Sequence, residues 1–198
     1  MRGLKEHVRR VLGVSLMVSM GVTEAVLLLE GRWQEAIPLH LCSLSALASA
    51  ALAFCPCQMA LGFLWYLGMP GALLALVFPA PAASRFQLLL NASYVTTHLL
   101  IIVIPLLRLL EGMRPRRGRA LHTMLALQGA ALCACCVNAA LGTDFLFLSS
   151  PPAGTPLETV YRAGYAPYLI SLEALCMLVC MGMERLLGLL GRREAEGK

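Results

Sequence analysis

Two residues within apolar stretches of the sequence, Cys42 and His98, have the side chains with the most chemical potential. A thiolate is the nucleophile that a neutral thiol is not, and a nearby imidazole can accept the thiol proton. His40 is nearer to Cys42 in sequence, but residues two apart point to different sides of a helix. Cys42 and His98 therefore predict nucleophilic chemistry, provided that the fold brings the two side chains together.

Five further polar residues in the apolar stretches are candidate supporting or substrate-binding residues: Glu24, His40, Asn91, Asn138 and Glu173. A charged or strongly polar side chain is costly in hydrocarbon, so it usually faces the interior of a helix bundle. Each of these side chains can also have a structural role, bonding to its own helix or reaching the interface. The sequence lacks phosphate loops, serine-nucleophile elbows and zinc signatures, so it predicts no metal and no cofactor.

The elements that must position these residues are transmembrane helices. Of the 198 residues, 59% are hydrophobic and 14% are charged, whereas soluble domains carry about a quarter charged residues. At about 20 residues per spanning helix, six spans and their connections nearly use up the chain. We therefore expect an all-α integral membrane protein with one domain over residues 1–198. The expected helices cover residues 8–29, 37–54, 59–78, 88–110, 121–141 and 166–190.

The distribution of the 16 lysines and arginines predicts how this bundle is oriented. Thirteen lie in the N-terminal segment, the connection between spans four and five, and the C-terminal segment, which share one side in a six-span chain. The other side has Arg32, Arg85 and Arg162. The positive-inside rule then predicts a multi-pass protein of the cell membrane with both termini cytoplasmic. The basic residues lie beside apolar stretches rather than in one patch, so the net charge of +5 does not indicate nucleic-acid binding.

This orientation places the candidate residues in the outer half of the membrane and predicts a polar pocket that opens outward. The expected span boundaries also give depths for the reactive pair. At about 1.5 Å per residue, Cys42 lies roughly 7 Å and His98 roughly 15 Å below the outer surface. The sequence alone therefore predicts that the thiol and the imidazole lie at different depths in the membrane.

Several short motifs resemble one known family. The run PLHLCSL at positions 38–44 is similar to the YwaF-like integral membrane family, and the resemblance extends over nearly the whole chain. Further matching positions are YLG at 66–68, GAL at 71–73, His98, Asn138, GTDF at 142–145, FL at 147–148 and YLISLE at 168–173. The family spans bacteria and eukaryotes, and its eukaryotic branch includes an acyltransferase that acts on ether phospholipids. The resemblance implies a six-helix bundle in which the catalytic pair falls, by motif, on Cys42 and His98.

The chain departs from this family in the connection after the fifth span. The family typically has Asn-Tyr at the positions of Asp144 and Phe145, and a cysteine and a lysine near residues 149–151. These departures imply a different lipid head group.

The leading hypothesis is a membrane acyltransferase or acyl hydrolase with phospholipid and lysophospholipid substrates. Its thioester forms on Cys42, and His98 acts as the base. Glu173 is a candidate to orient His98, and Asn138 or Asn91 to donate to the developing oxyanion. The alternatives are a proton-linked small-molecule carrier or binding protein, using Glu24, His98 and Glu173, and a scaffold without chemistry. The sequence leaves the oligomeric state open.

Overall fold

The computed structural model describes residues 2–79 and 83–196, and it contains no strand within them. The seven helices of this part of the chain are α1 (Arg2–Leu29), α2 (Leu41–Phe54), α3 (Gln58–Val77), α4 (Gln87–Leu110), α5 (Ala120–Leu141), α6 (Leu157–Ala163) and α7 (Tyr165–Glu196). Within the described residues, five of them, α1, α3, α4, α5 and α7, are long and apolar enough to cross a membrane. The all-helical fold class is confirmed, while α2, with 14 residues, is a shorter apolar helix.

The bounds of α2 differ most from what the sequence predicts at the end that carries the candidate cysteine. Residues 37–40 form bends rather than the first helical turn, and the helix begins at Leu41. Pro38 disfavours helical geometry in the residue before it, and His40 has an extended backbone with ψ of 150°. The predicted span 37–54 is therefore corrected to Leu41–Phe54 as a helix. The short helix α6 (Leu157–Ala163) was not predicted.

The C-terminal ends of α2 and α4 both lie beside Arg9 of α1, so α2 and α4 run in the same direction. We call the end at which α1 begins the basic end, because Arg9, Arg108 and the arginines of residues 114–119 lie there. The other is the opposite end. Helices α1, α2 and α4 pack against one another, and the second half of α3 packs against α4. These four helices bury the larger apolar core, whose fully buried members include Leu16, Leu52 and Ile101.

The middle of α3 joins the remaining helices to this four-helix unit. Residues Leu64–Gly68 form a π-helical segment that is buried throughout and contacts α2, α4, α5 and α7. A second apolar cluster forms here, with Trp65 and Tyr66 from α3, Met124 from α5 and Cys180 from α7. π-helical segments are rare and often occur at functional sites. The π-helical segment thus connects α2 and α4 to α5 and α7.

An ionic cluster closes the four-helix unit at the basic end. Arg9 Nε donates to the carbonyl of Ala53 at 2.7 Å, and Arg108 Nε donates to the carbonyl of Leu52 at 2.8 Å. Glu111 accepts from both arginines, at 2.7 Å from Arg9 Nη1 and 3.2 Å from Arg108 Nη1. The last carbonyls of a helix lack intrahelical partners and carry partial negative charge. The two arginines therefore cap α2 and connect it to α1 and α4.

Candidate functional site

The candidate nucleophile lies in the first turn of a helix. Because α2 begins at Leu41, Cys42 is its second residue, and its side chain is half-buried. The first N–H groups of a helix have no intrahelical partner, and they carry the positive end of the helix dipole. The side chain of His40, the N-cap residue, makes no hydrogen bond to these N–H groups. The helix dipole at Cys42 thus favours negative charge, whereas burial of the thiol disfavours it.

His98 is held in one orientation by the backbone of its own helix. Its Nδ1 lies 2.7 Å from the carbonyl oxygen of Tyr94, and the two rings have centroids 4.1 Å apart. A carbonyl oxygen can only accept, so Nδ1 carries the proton, and in the neutral ring Nε2 then has the free lone pair. His98 is 4% exposed, and its Nε2 is buried without a hydrogen-bond partner in the described structure. This tautomer is the one in which Nε2 can accept a proton.

The packing of α2 against α4 gives the relative depth of these two residues. Arg108 bonds to the carbonyl of Leu52, 56 residues earlier, and Cys42 and His98 are also 56 residues apart. Because the helices run in the same direction with the same rise per residue, this register predicts that Cys42 and His98 lie at similar levels. The register therefore predicts a smaller difference in depth between Cys42 and His98 than the sequence does with α2 beginning at residue 37.

Contacts through α3 also predict that Cys42 and His98 lie at similar levels along the bundle. The hydroxyl of Tyr94 donates to the carbonyl of Ala75 at 2.6 Å, at the opposite end of α3. One turn toward the basic end, a side chain on Gly71 would lie 3.2 Å from Leu41, the neighbour of Cys42. One turn from Tyr94 in the same direction is His98. Both routes across the bundle therefore bring the first turn of α2 to the level of His98.

The face of α2 that carries Cys42 contains two further polar atoms that are unusual for a protein interior. Ser45 and Ser49 are 1% and 0% exposed, and both hydroxyl oxygens are buried with no hydrogen-bond partner in the described residues. Residues 42, 45 and 49 share one face of α2, because residues three and four apart are neighbours on a helix. Leaving a buried polar group unpaired costs about 1–3 kcal/mol, so such atoms need an explanation.

The candidate supporting residues have partners of their own. Asn138 is buried and bonds the backbone of Phe145, with Oδ1 accepting from its N–H at 2.8 Å and Nδ2 donating to its carbonyl at 3.1 Å. Asn91 is exposed and accepts from Gln87. The structure thus gives Asn138 a role in holding the loop after α5, and it gives Asn91 a contact within α4.

Glu173 and Glu24 lie on other helices than His98. Gln128 Nε2 donates to both carboxylate oxygens of Glu173 at 2.8 Å, which connects α5 to α7. Glu24 is half-buried on α1. Within the described residues, Glu24, His98 and Glu173 form no hydrogen bond with one another, and no group of three His, Cys, Asp or Glu residues is placed to hold a metal ion. The orienting partner of His98 that the structure shows is the carbonyl of Tyr94.

A polar pocket of about 440 Å³ opens at the opposite end, beside the start of α2. Its lining includes Arg32, Glu35 and His40 from the connection before α2, and Asp144 and Phe145 from the loop after α5. His40 packs edge-on against the ring of Phe145, with centroids 5.0 Å apart. Of the candidate residues, His40 lines this pocket, and the lining does not include Cys42 or His98.

The loop that closes the pocket is conformationally strained. Leu146 and Phe147 have φ of 58° and 55°, in the left-handed region that side chains other than glycine rarely adopt. The hydroxyl of Tyr168 on α7 bonds the carbonyl of Phe147, and Asp144 accepts from the N–H of Ser149 at 2.8 Å. Strain of this kind persists only where surrounding contacts hold it, and it clusters at functional sites. The GTDF motif thus supplies the pocket wall.

The connections at the opposite end are tied together by Glu30. Its carboxylate accepts from the Ser84 hydroxyl at 2.6 Å and from the Arg85 N–H at 2.8 Å, and it pairs with Arg32 at 3.3 Å. These bonds, led by the one from Ser84, hold the pKa of the Glu30 carboxyl below its usual value. The ionised Glu30 therefore connects the α1–α2 loop to the α3–α4 loop.

Sequence reasoning missed Ser45, Ser49 and the π-helical segment. A serine in an apolar helix is common and usually bonds its own backbone, so neither serine was distinctive. A π-helical segment has no composition signal. One sequence signal could have found the two serines. Ser45 and Ser49 follow Cys42 by three and seven residues, a spacing that puts all three on one face of a helix.

The fold and the apolar helices define a polytopic helical membrane protein with buried polar side chains on α2 and α4. Comparison with models of known families matches residues 2–184, and the chain belongs to the TMEM164 family. Comparison with curated proteins and with solved structures found no match. The membrane class is confirmed, whereas the YwaF-like name and the relation to an acyltransferase stay predictions.

Proposed function

We propose that this protein is a phospholipid acyltransferase or acyl hydrolase with Cys42 as the nucleophile and His98 as the base. The observation that supports the proposal is the hydrogen bond from Arg108 to the carbonyl of Leu52, because the register that it indicates for α2 and α4 predicts a thiol and an imidazole at similar levels. The Nε2 of that imidazole is buried, unpartnered and, through the Tyr94 carbonyl, in the proton-accepting tautomer.

In the first half of the reaction, Nε2 of His98 takes the thiol proton as Sγ attacks an ester carbonyl of a glycerophospholipid. The electron pair of the carbonyl π bond moves to oxygen, and the partial positive charge at the N-terminal end of α2 favours this charge. The oxyanion then collapses and the bond to the glycerol oxygen breaks. The leaving oxygen takes the proton from His98, which gives a thioester on Cys42 and a free lysophospholipid.

In the second half, the hydroxyl of an acceptor attacks the thioester carbonyl while His98 Nε2 takes its proton. The acceptor is a lysophospholipid in acyl transfer and water in hydrolysis. The thiolate leaves and regains the proton from His98, so the enzyme returns to its starting state. Apolar surroundings favour transfer, because they keep water from the thioester.

The proposal includes a membrane orientation. Six spans, with α2 as the shortest, put the basic end in the cytoplasm and both termini with it. Support comes from the thirteen lysines and arginines that lie on that side of a six-span chain, against three on the other. The polar pocket beside His40 then faces outward at the level of lipid head groups, and the acyl chains of the substrate enter from the outer leaflet.

The test is acyl exchange by the purified full-length protein in phospholipid nanodiscs, followed by mass spectrometry with an isotope-labelled lysophospholipid. We expect Cys42→Ala to abolish exchange, and His98→Ala to lower its rate by about 10²–10⁴-fold, the usual contribution of a general base. The matched controls are Cys55→Ala and His122→Ala, which alter an exposed cysteine and an exposed histidine. Full turnover by both Cys42→Ala and His98→Ala would refute the mechanism. A pH-dependent solute flux in liposomes that survives loss of Cys42 would support a carrier instead.

A further inference from the structure

Ser45 stands out among the buried polar residues because of its position relative to Cys42. It lies three residues later on the same face of α2, a spacing that brings Cβ atoms to about 5–6 Å. Its hydroxyl is buried, with 1% of the residue exposed, and it makes no hydrogen bond within the described residues. A donor with no partner is thus one helical turn from the candidate nucleophile.

The residue of α3 that faces Ser45 is a glycine, which has no side chain. It is Gly68 of the π-helical segment, and a Cβ at that position would lie 3.2 Å from Ser45 Oγ and 2.7 Å from a methyl group of Leu64. The missing side chain leaves room for the hydroxyl to rotate. The close approach of α3 also excludes the larger residues that would cover the hydroxyl.

We propose that Ser45 donates a hydrogen bond to the oxyanion that forms when Cys42 attacks an ester carbonyl, an inference that rests on the proposed function. A donor that is unpaired in the resting protein and paired in the intermediate stabilises the transition state more than the ground state. The electron pair moves from the carbonyl π bond to oxygen and returns when the leaving oxygen departs. Ser45 keeps its proton throughout.

Ser49 provides a matched control within the same helix. Its hydroxyl is equally buried and equally unpartnered, and it lies on the same face of α2. It is seven residues from Cys42, about 10 Å along the helix axis, which is beyond hydrogen-bonding reach of an oxyanion at Cys42. Removing either hydroxyl has the same structural consequence, so only the distance to Cys42 distinguishes the two variants.

The experiment measures acylation of Cys42 in the full-length protein in phosphatidylcholine nanodiscs, with p-nitrophenyl octanoate as the ester. Release of p-nitrophenol gives the rate, and intact mass gives the adduct on Cys42. We expect Ser45→Ala to lower the acylation rate by about 10²-fold or more with little change in KM, as for loss of an oxyanion donor. Ser49→Ala should acylate at the rate of the unmodified protein. Neither variant should lower Tm, because each removes an unpaired buried hydroxyl.

A second measurement separates the oxyanion from the thiolate. Alkylation of Cys42 by iodoacetamide, followed across the pH range of thiol ionisation, involves no oxyanion, so Ser45→Ala should leave its profile unchanged. A slower alkylation in Ser45→Ala, a loss of acylation shared with Ser49→Ala, or a lower Tm in Ser45→Ala alone would each overturn the proposal for Ser45. If the unmodified protein forms no acyl adduct on Cys42, the proposed function fails and the role of Ser45 fails with it.

Discussion

At the scale of single residues, the buried polar side-chain atoms that lack a partner in the described structure all lie on α2 and α4. Three of the four buried side-chain atoms without a partner in the described structure are Ser45 Oγ, Ser49 Oγ and His98 Nε2, and the fourth is Arg108 Nη2 on the same face of α4 as His98. Each represents stability that the folded protein forgoes, about 1–3 kcal/mol per atom. Ser45 lies one helical turn from Cys42, whereas Ser49 is one turn farther away and Arg108 belongs to the ionic cluster of the basic end.

A residue-scale prediction concerns acid sensitivity at the opposite end. The pKa of Glu30 is held below its ordinary 4.5, so its bonds stabilise the folded state fully above about pH 4.5 and are lost as pH falls through the lowered value. We expect Glu30→Gln to lower Tm at neutral pH and the difference from the unmodified protein to vanish in acid. Thermal unfolding in detergent at a series of pH values measures this. A Tm difference that stays constant down to strongly acidic pH would contradict it.

At the scale of helices, close approach between α1 and α2 depends on a small residue. Gly13 is buried, and a Cβ there would lie 2.7 Å from the Cβ of Ala53, which cannot move without its backbone. Small residues at helix crossings are the usual means of tight packing in membranes. The contact lies one turn from Arg9, so the same crossing carries both the close packing and the ionic cap of α2.

The corresponding prediction compares two glycines on α1. Gly13→Ala should lower the free energy of unfolding by about 1–3 kcal/mol, because it overpacks the crossing with α2. Gly21→Ala adds the same methyl group to the same helix at a site with no atom within 4 Å, and it should cause no loss. Unfolding in mixed micelles with increasing sodium dodecyl sulfate measures both. Equal effects of the two substitutions would show that helix flexibility, not the crossing, determines the result.

The sequence predicted most of the helices but not the local geometry that matters for the site. Apolar length alone located α3, α4 and α5 to within a residue at each end, because hydrocarbon requires long helices. The sequence does not predict that α2 begins as late as Leu41, because residues 37–40 are apolar enough for a helix. Only the backbone geometry around Pro38 and His40 keeps these residues out of the helix. The bond from His98 to the Tyr94 carbonyl involves main chain and has no residue signature.

At the scale of the whole molecule, the bundle consists of two parts with different degrees of burial. Helices α1 to α4 form a packed unit, while α5 and α7 attach to it mainly through the π-helical segment of α3. The attachment continues toward the basic end, where the Tyr66 hydroxyl contacts the carboxylate of Glu184 on α7, and Glu184 also accepts from the N–H of Gly118 at 2.9 Å. The first half of α2 lies on the side where the two parts meet.

The ionic cluster of the basic end gives a prediction for the integrity of the four-helix unit. Glu111→Ala should lower the free energy of unfolding by about 3 kcal/mol, because it leaves two largely buried arginines without their shared carboxylate. The control is Glu6→Ala, which breaks the exposed pair of Glu6 with Arg10 and should have an effect near zero. Unfolding in mixed micelles again measures the change. Equal stability of the two variants would mean that the cluster does not hold α1, α2 and α4 together.

The π-helical segment also constrains how the length of α3 can vary. Five residues, Leu64–Gly68, occupy a wider turn than an α-helix would give them, so removing one residue would let α3 become regular α-helix throughout. Because a π turn holds about one residue more than an α turn, the two halves of α3 would keep nearly the same relative orientation. A deletion in the regular part of α3 between Gln58 and Phe63 would instead rotate the half beyond it by about 100°, and Gly68 would turn away from Ser45. The π-helical segment is therefore a place where α3 can lose a residue without turning its far half away from α2.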